Sequence, residues 1–231
     1  LLGAGLYFAP VAPLARAASS DFILTWSANS YVPLSYEGKA LPIRGSTIKV
    51  FALPVKKLAK SPDYLYYRWL LDDDVVGWAS GVGNSFFQFT AGKWAGDYHK
   101  IESQILDSQQ GAVLSQNSIY IKIVDPEVLI FNSINSDYSL VKTVTAQTGQ
   151  NLTLFAKPLF FIAQKASDLF FNWTLDGQEL ISPDGKNSDQ LTIKIPSGNL
   201  SESIFKNLFV SIESQTDQAQ QAAVNLSIEI K

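Results

Sequence analysis

The chain contains two copies of one sequence pattern, separated by a constant offset of 104 residues. The segment GSTIKVFALP at 45–54 aligns with the segment GQNLTLFAKP at 149–158. At the same offset, YRWLLD at 67–72 aligns with FNWTLD at 171–176. A repeat of this length indicates two whole domains, because solenoid proteins stack much shorter units.

Both units have the alternating polarity of β-strands. Residues 46–53 and 151–156 place apolar side chains at every second position, as half-buried strands do. About seven short strands per hundred residues, separated by turns, are typical of an antiparallel β-sandwich. The segment QTDQAQQAA at 215–223 has no apolar stripe, so we expect a long loop between the last two strands.

Acidic residues follow the tryptophan-containing segment in each unit. The first unit has Asp72-Asp73-Asp74 at this place, and the second has Asp176-Gly177. Asp-Gly between two strands is a strong hairpin signal, because both central residues of such a turn favour positive φ.

We place the boundary between the units at Val124 and Asp125. The first domain then covers residues 21–124 and the second covers residues 125–231. Pro126 follows the boundary, and proline cannot donate a hydrogen bond within a strand ladder. The connection is short, so we expect the two domains to be held in a semi-rigid line.

The first 20 residues resemble the remnant of a signal peptide. Residues 1–14 are apolar and uncharged, and residues 15–20 (ARAASS) suit a cleavage site. Two prolines and a length short of about 20 residues argue against a membrane span. We therefore expect a secreted or cell-surface protein, attached to a membrane only through an anchor outside this sequence. A disordered or core-packed N-terminus is the alternative.

The composition excludes several kinds of site and partner. The chain has no cysteine and a single histidine, so it lacks disulfides, thiolate metal sites and multi-histidine metal sites. The net charge is −3 and no basic run occurs, so we expect no nucleic-acid partner.

His99 is the one side chain suited to acid–base chemistry near neutral pH. We expect it on the protein surface, and no nucleophile motif of the G-x-S-x-G type accompanies it. The sequence therefore predicts a protein without enzymatic activity. A hydrolase that uses paired carboxylates is the alternative.

Three motifs connect the chain to a known group of domains. They are the repeated Tyr/Phe-x-Trp-x-Leu-Asp, the sequence SGVG at 80–83, and Gly-Asp-Tyr at 96–98 before a strand. Together they resemble bacterial extracellular Ig-like and PKD-like domains, which implies two tandem Ig-like β-sandwiches. The resemblance places Trp69 and Trp173 in the cores and Tyr98 at a tyrosine corner. It also implies surface display, spacing or adhesion.

Two acidic clusters are candidate calcium sites, since hard cations bind clustered carboxylates. One consists of Asp72, Asp73 and Asp74, and the other of Asp125 and Glu127 at the domain junction. Neither has the spacing of an EF-hand loop, and aspartate is also common in turns. We expect no other cofactor.

Trp78 and Trp94 are candidate ligand-binding residues, without obvious counterparts in the second unit. Exposed aromatic side chains form platforms for sugars or hot spots for proteins, although both could instead pack under loops. We therefore predict a structural, spacer or adhesion module whose partner is a cell-surface protein or a polysaccharide. The alternative is a carbohydrate-binding or substrate-recognition module of a larger exported protein, with its site in the first domain.

Overall fold

The computed structural model describes residues 21–55, 61–134, 137–180 and 188–231. The signal-peptide remnant predicted at 1–20 lies outside these residues. The described ranges form β-strands and two short 3-10 turns, at Pro62–Tyr64 and Ala166–Asp168. Within them, no helix has the length and apolar character needed to cross a lipid bilayer.

The first half of the chain forms two antiparallel sheets around one core. Its strands are β1 (Phe22–Ala28), β2 (Thr47–Pro54), β3 (Tyr66–Leu71), β4 (Asp74–Val75), β5 (Gly81–Val82), β6 (Phe86–Thr90), β7 (Tyr98–Leu106) and β8 (Val113–Lys122). One sheet has the order β1-β2-β6, and the other has the order β4-β3-β7-β8, with β5 also paired to β3. The core between the sheets contains Tyr67, Trp69 and Ile101, all fully buried.

The second half repeats this arrangement. Its strands are β9 (Glu127–Ile134), β10 (Asp137–Leu140), β11 (Thr143–Ala146), β12 (Asn151–Leu159), β13 (Leu169–Leu175), β14 (Gln178–Glu179), β15 (Gln190–Lys194), β16 (Ile204–Ser214) and β17 (Gln221–Ile230). The sheets have the orders β10-β9-β12-β15 and β11-β17-β16-β13-β14. All described pairs are antiparallel except β11 with β17.

The chain crosses repeatedly between the two sheets of each half, for example from β2 to β3 and from β6 to β7, as in an immunoglobulin-like β-sandwich. The predicted fold class, two tandem Ig-like sandwiches, is therefore confirmed. Val124 and Asp125 lie between β8 and β9. The domain boundary that we placed there stays a prediction.

The tryptophans that the sequence repeat aligns occupy equivalent positions in the two cores. Trp69 is 0% exposed and Trp173 is 4% exposed, as the resemblance implied. The indole N–H of Trp69 donates to the carbonyl of Asn84 over 2.8 Å, and that of Trp173 donates to the carbonyl of Ser188 over 3.1 Å. Each acceptor lies 15 residues after its tryptophan, so both cores have the same local geometry.

The hairpin turns have the backbone geometry that the sequence predicted. Asp176 and Gly177 have φ values of 50° and 81°, and they connect β13 to β14. Asp72 and Asp73 have φ values of 54° and 73° between β3 and β4. Aspartate is one of the few residues other than glycine that adopt this left-handed conformation readily.

Replacing Gly177 by alanine should lower the free energy of unfolding by about 1 kcal/mol. No atom lies within 4 Å of the added Cβ, so strain at the positive φ causes the whole effect. Gly198 is the matched control, because its Cβ would be equally free and its φ lies outside the left-handed region. Urea melts of both alanine variants provide the measurement, and equal midpoints would contradict the expectation.

Two expectations require correction. The loop before the last strand is shorter than the predicted 215–223, because Gln221 and Ala222 pair with Glu213 and Ile212 in the ladder. Tyr98 is 49% exposed, which is incompatible with the buried side chain of a tyrosine corner. The alternation of β7 directs this residue outward and its successor inward.

Candidate functional site

A third apolar cluster joins the two sandwiches. Its buried members are Ile43, from the segment before β2, and Leu159 and Phe160, at the end of β12. Partly buried side chains from both halves of the chain pack against them: Val32, Tyr36, Leu41, Val124, Leu129 and Ile162. The two domains therefore share a hydrophobic contact in addition to their covalent connection.

Backbone hydrogen bonds reinforce this contact. Tyr31 N–H donates to the carbonyl of Phe161 over 2.6 Å, and Phe160 N–H donates to the carbonyl of Tyr31 over 2.7 Å. These two bonds form an isolated antiparallel bridge between the domains. Val124 N–H also donates to the carbonyl of Pro42 over 3.0 Å, which attaches the connecting segment to the first domain.

Phe160 adopts a strained backbone conformation at the centre of the contact. Its φ is +65°, in the left-handed region that costs an ordinary L-residue about 1–2 kcal/mol. Its ring packs edge-on against Tyr36, with ring centroids 5.9 Å apart. Such strain persists only where the surroundings hold the residue in place, and here the bridge and the apolar cluster do so.

A cleft of about 330 Å³ lies beside the apolar cluster. Arg44 and Trp94 line it from the first domain, Asp217 and Gln220 line it from the second, and Asp125 belongs to the connection. The remaining lining residues are Ile43, Gly45, Ala95, Val124, Pro126 and Ala219. The structure thus brings together two residues that the sequence had assigned to different kinds of site, Trp94 and Asp125.

Both candidate tryptophans are exposed rather than packed under loops. Trp94 is 66% exposed, and the guanidinium of Arg44 lies 3.6 Å from the centre of its ring, a cation–π contact. Trp78 is 73% exposed and meets Phe87 edge-on, with ring centroids 6.3 Å apart. Trp78 does not line the cleft, so the two tryptophans do not belong to one site there.

A wider groove of about 1040 Å³ also runs along the domain junction. Its lining includes Tyr31, Leu34 and Ile162. The charged residues on its rim are Lys165 and Asp168, which approach each other to 4.0 Å. This groove is open and its lining is mainly apolar, although it also includes several polar side chains.

His99 is buried at 5% exposure, and our expectation of a surface histidine is wrong. Its Nδ1 lies 2.8 Å from Oδ2 of Asp72, and its Nε2 accepts the N–H of Gly92 over 3.3 Å. Because Nε2 acts as an acceptor, the proton of the neutral ring lies on Nδ1 and is donated to Asp72. The ring also packs edge-on against Phe89.

The carboxylate of Asp72 is occupied by donors of the protein itself. Lys93 Nζ lies 2.7 Å from Oδ1, and Lys100 N–H donates to the same oxygen over 3.0 Å. Burial raises the pKa of Asp72, but the hydrogen bonds from Lys93, Lys100 and His99 outweigh it and hold the pKa below its ordinary value. In the second domain, hydrogen bonds from the Lys206 side chain and from the N–H of Asn207 lower the pKa of Asp176 in the same way.

Calcium binding at the acidic clusters stays a prediction. Asp73 makes an ion pair with Lys100, and Asp74 is exposed at the end of the hairpin. Asp125 lines the cleft and Glu127 begins β9. Among the described residues, no group of three or more His, Asp or Glu side chains is arranged to hold a metal ion.

Asp72 should make the stability of the first domain depend on pH. Its pKa is lower in the folded protein than its ordinary value of 3.8, so the ionised carboxylate stabilises the fold above that pH. This stabilisation is lost as the pH falls through the folded pKa. Urea melts at neutral pH and below about pH 4 measure how much unfolding free energy the protein loses in acid. This loss should be smaller for Asp72→Asn than for the wild type. Asp74→Asn, in the same hairpin, is the control. Equal acid-induced losses in Asp72→Asn and the wild type would contradict the expectation.

Comparisons with known proteins concern the fold alone. No protein-family model matches the chain, and no curated protein is detectably similar to it. A chain of the crystal structure of Dpr2 Ig1-Ig2 in complex with DIP-Theta Ig1-Ig3 is 8% identical, with 83% of this chain and 93% of that chain covered and a TM-score of 0.30. Immunoglobulin domains 1–4 of Sidekick-1 are 9% identical, with coverage of 92% and 75% and a TM-score of 0.30.

A third similar structure comes from Bacteroides ovatus. It is SGBP-B of the mixed-linkage glucan utilization locus, in complex with a mixed-linkage heptasaccharide. It is 8% identical, 90% of this chain and 70% of that chain are covered, and the TM-score is 0.24. At these values, none of the three similarities carries a functional argument.

Proposed function

We propose that the chain is a non-catalytic exported or cell-surface protein that acts as a structural, spacer or adhesion module. The junction between the domains carries this proposal. An apolar cluster, a backbone bridge and the strained Phe160 favour one arrangement of the two sandwiches. A fixed two-domain body defines a distance and an orientation, whereas a flexible linker defines neither.

Further features support the proposal that the protein is exported and that it is not an enzyme. The apolar N-terminal segment and the motifs shared with bacterial Ig-like and PKD-like domains favour an extracytoplasmic, bacterial protein. His99 is buried, and its ring nitrogens contact Asp72 and the N–H of Gly92, which supports a structural role for this side chain. The proposed partner is a cell-surface protein or a polysaccharide. Nucleic acid is not a proposed partner, and any attachment to a membrane is proposed to occur through an anchor outside this sequence.

Small-angle X-ray scattering of the chain tests the fixed arrangement. We expect a single arrangement of the two sandwiches to fit the scattering curve at low and at high salt. Tyr31→Pro removes the amide that donates to Phe161, so this variant should require a set of arrangements. A wild-type curve that only a broad set of arrangements can fit would contradict the proposal.

A carbohydrate-binding or substrate-recognition module is the second candidate function. The exposure of Trp94, which lines the cleft at the domain junction, favours it, because exposed indoles stack on sugars and anchor protein partners. A screen of polysaccharides and cell-wall preparations, followed by tryptophan fluorescence, tests it. A saturable change supports recognition, and no change with any preparation removes polysaccharides as partners.

A further inference from the structure

The cleft at the domain junction combines an aromatic surface, a carboxylate and a guanidinium. Trp94, Asp125 and Arg44 supply these three groups. We propose that this cleft is a binding site for a neutral saccharide and that Trp94 is its platform. The inference rests on the proposed fixed arrangement, because the second wall of the cleft belongs to the other sandwich.

Hydrogen bonds of the residues before and after Trp94 fix the loop that carries it. Before it, Gly92 N–H donates to the buried His99, and Lys93 Nζ donates to the carbonyl of Tyr98 over 2.7 Å. After it, Gly96 N–H donates to the carbonyl of Ile123 over 2.9 Å. A platform that is already ordered loses little conformational entropy when a ligand binds.

The wall from the second domain is equally well fixed. Gln220 is 6% exposed, and its Oε1 accepts the N–H of Ile162 over 2.8 Å. Its Nε2 donates to Asp217 over 2.8 Å, and Ala219 N–H donates to the other oxygen of the same carboxylate over 3.1 Å. Asp217 and Gln220 therefore shape the wall, and their polar atoms are largely occupied.

Asp125 differs from these residues because its carboxylate is available. It is exposed, and no hydrogen bond or ion pair to another described residue occupies it. A carboxylate accepts hydrogen bonds from hydroxyl groups at several positions around its two oxygens. Asp125 is thus suited to orient the hydroxyl groups of a ligand that stacks on Trp94.

The charge and size of the cleft define the ligand further. Two aspartates and one arginine give the lining a net negative charge, and Arg44 already lies against Trp94. An acidic sugar is therefore disfavoured relative to a neutral one. A volume of about 330 Å³ is at the lower end for small-molecule sites, which suits a short stretch of a saccharide rather than a long chain.

Titration of the whole chain with neutral hexasaccharides of glucose, mannose and N-acetylglucosamine tests the proposal. Tryptophan fluorescence and calorimetry follow binding, and the hexasaccharide of galacturonic acid is the charged comparison. We expect at least one neutral probe to bind, and Trp94→Ala and Asp125→Asn each to weaken its binding by about tenfold or more. Trp78→Ala, a matched change of an exposed tryptophan outside the cleft, should leave the affinity unchanged.

Three results would overturn the site. They are no binding of any neutral probe, tighter binding of the galacturonic acid probe, and loss of binding in Trp78→Ala but not in Trp94→Ala. Urea melts of all three variants show whether each remains folded. Scattering separates the two proposals: a fixed arrangement without saccharide binding refutes only the site, whereas a flexible junction refutes the proposed function.

Discussion

Replacing Trp69 by alanine lowers the free energy of unfolding of the first sandwich by about 3–5 kcal/mol. The side chain is fully buried, and its ring lies 4.9 Å from that of Phe87. Removal of the indole leaves a cavity and deprives the carbonyl of Asn84 of its donor. Whole domains are stable by only about 5–15 kcal/mol, so the first sandwich should unfold at a much lower urea concentration.

Trp78→Ala is the matched control for this prediction. That residue is 73% exposed, so its loss should change the midpoint little. Trp173→Ala should produce the large effect in the second sandwich instead, because this residue is 4% exposed and has the equivalent hydrogen bond. Equal losses of unfolding free energy in Trp69→Ala and Trp78→Ala would show that the assignment of the core is wrong.

Replacing Phe160 by alanine should cost about 3–5 kcal/mol and loosen the junction between the domains. The ring is 3% exposed, and its removal opens the apolar cluster against Tyr36. Alanine also retains the strain at φ +65°. Urea melts give the loss of stability, and small-angle scattering shows whether the domains become mobile relative to each other.

Phe160→Gly provides the control for backbone strain. At an ordinary position glycine is less stable than alanine by about 0.5–1 kcal/mol. At Phe160 the order should be reversed, because glycine adopts a positive φ without steric cost. An alanine variant that is clearly more stable than the glycine variant would contradict the strained conformation.

The sequence repeat predicted the fold class because it contains the core residues and the hairpin turns on which the folding of each domain depends. Trp69 and Trp173 occupy equivalent core positions, so one offset identifies both. The hairpin at Asp176 and Gly177 could be predicted because its positive φ values strongly restrict the choice of residues.

The burial of His99 could also have been predicted. Ile101 and Ile105 are buried on the same strand, and a residue an even number of positions before them faces the same side of the sheet. The alternation of β7, and not the usual exposure of histidine, decides that this side chain faces the core.

The domain junction could not be predicted from the sequence. Ile43 and Phe160 are more than a hundred residues apart, and neither belongs to a periodic pattern that indicates their contact. Phenylalanine rarely adopts a positive φ, so no sequence signal indicates the conformation of Phe160. Trp94 and Asp125 were identified individually, but their common cleft depends on how the domains are placed.

The distance between spin labels on the two domains tests the fixed arrangement most directly. The chain has no cysteine, so Lys49→Cys and Lys194→Cys, both at exposed positions, would carry the only labels. We predict one narrow distance distribution, centred on the separation in the structure, which broadens in Tyr31→Pro. A broad distribution in the wild-type background would contradict the fixed junction, and with it the proposed function and the cleft that depends on it.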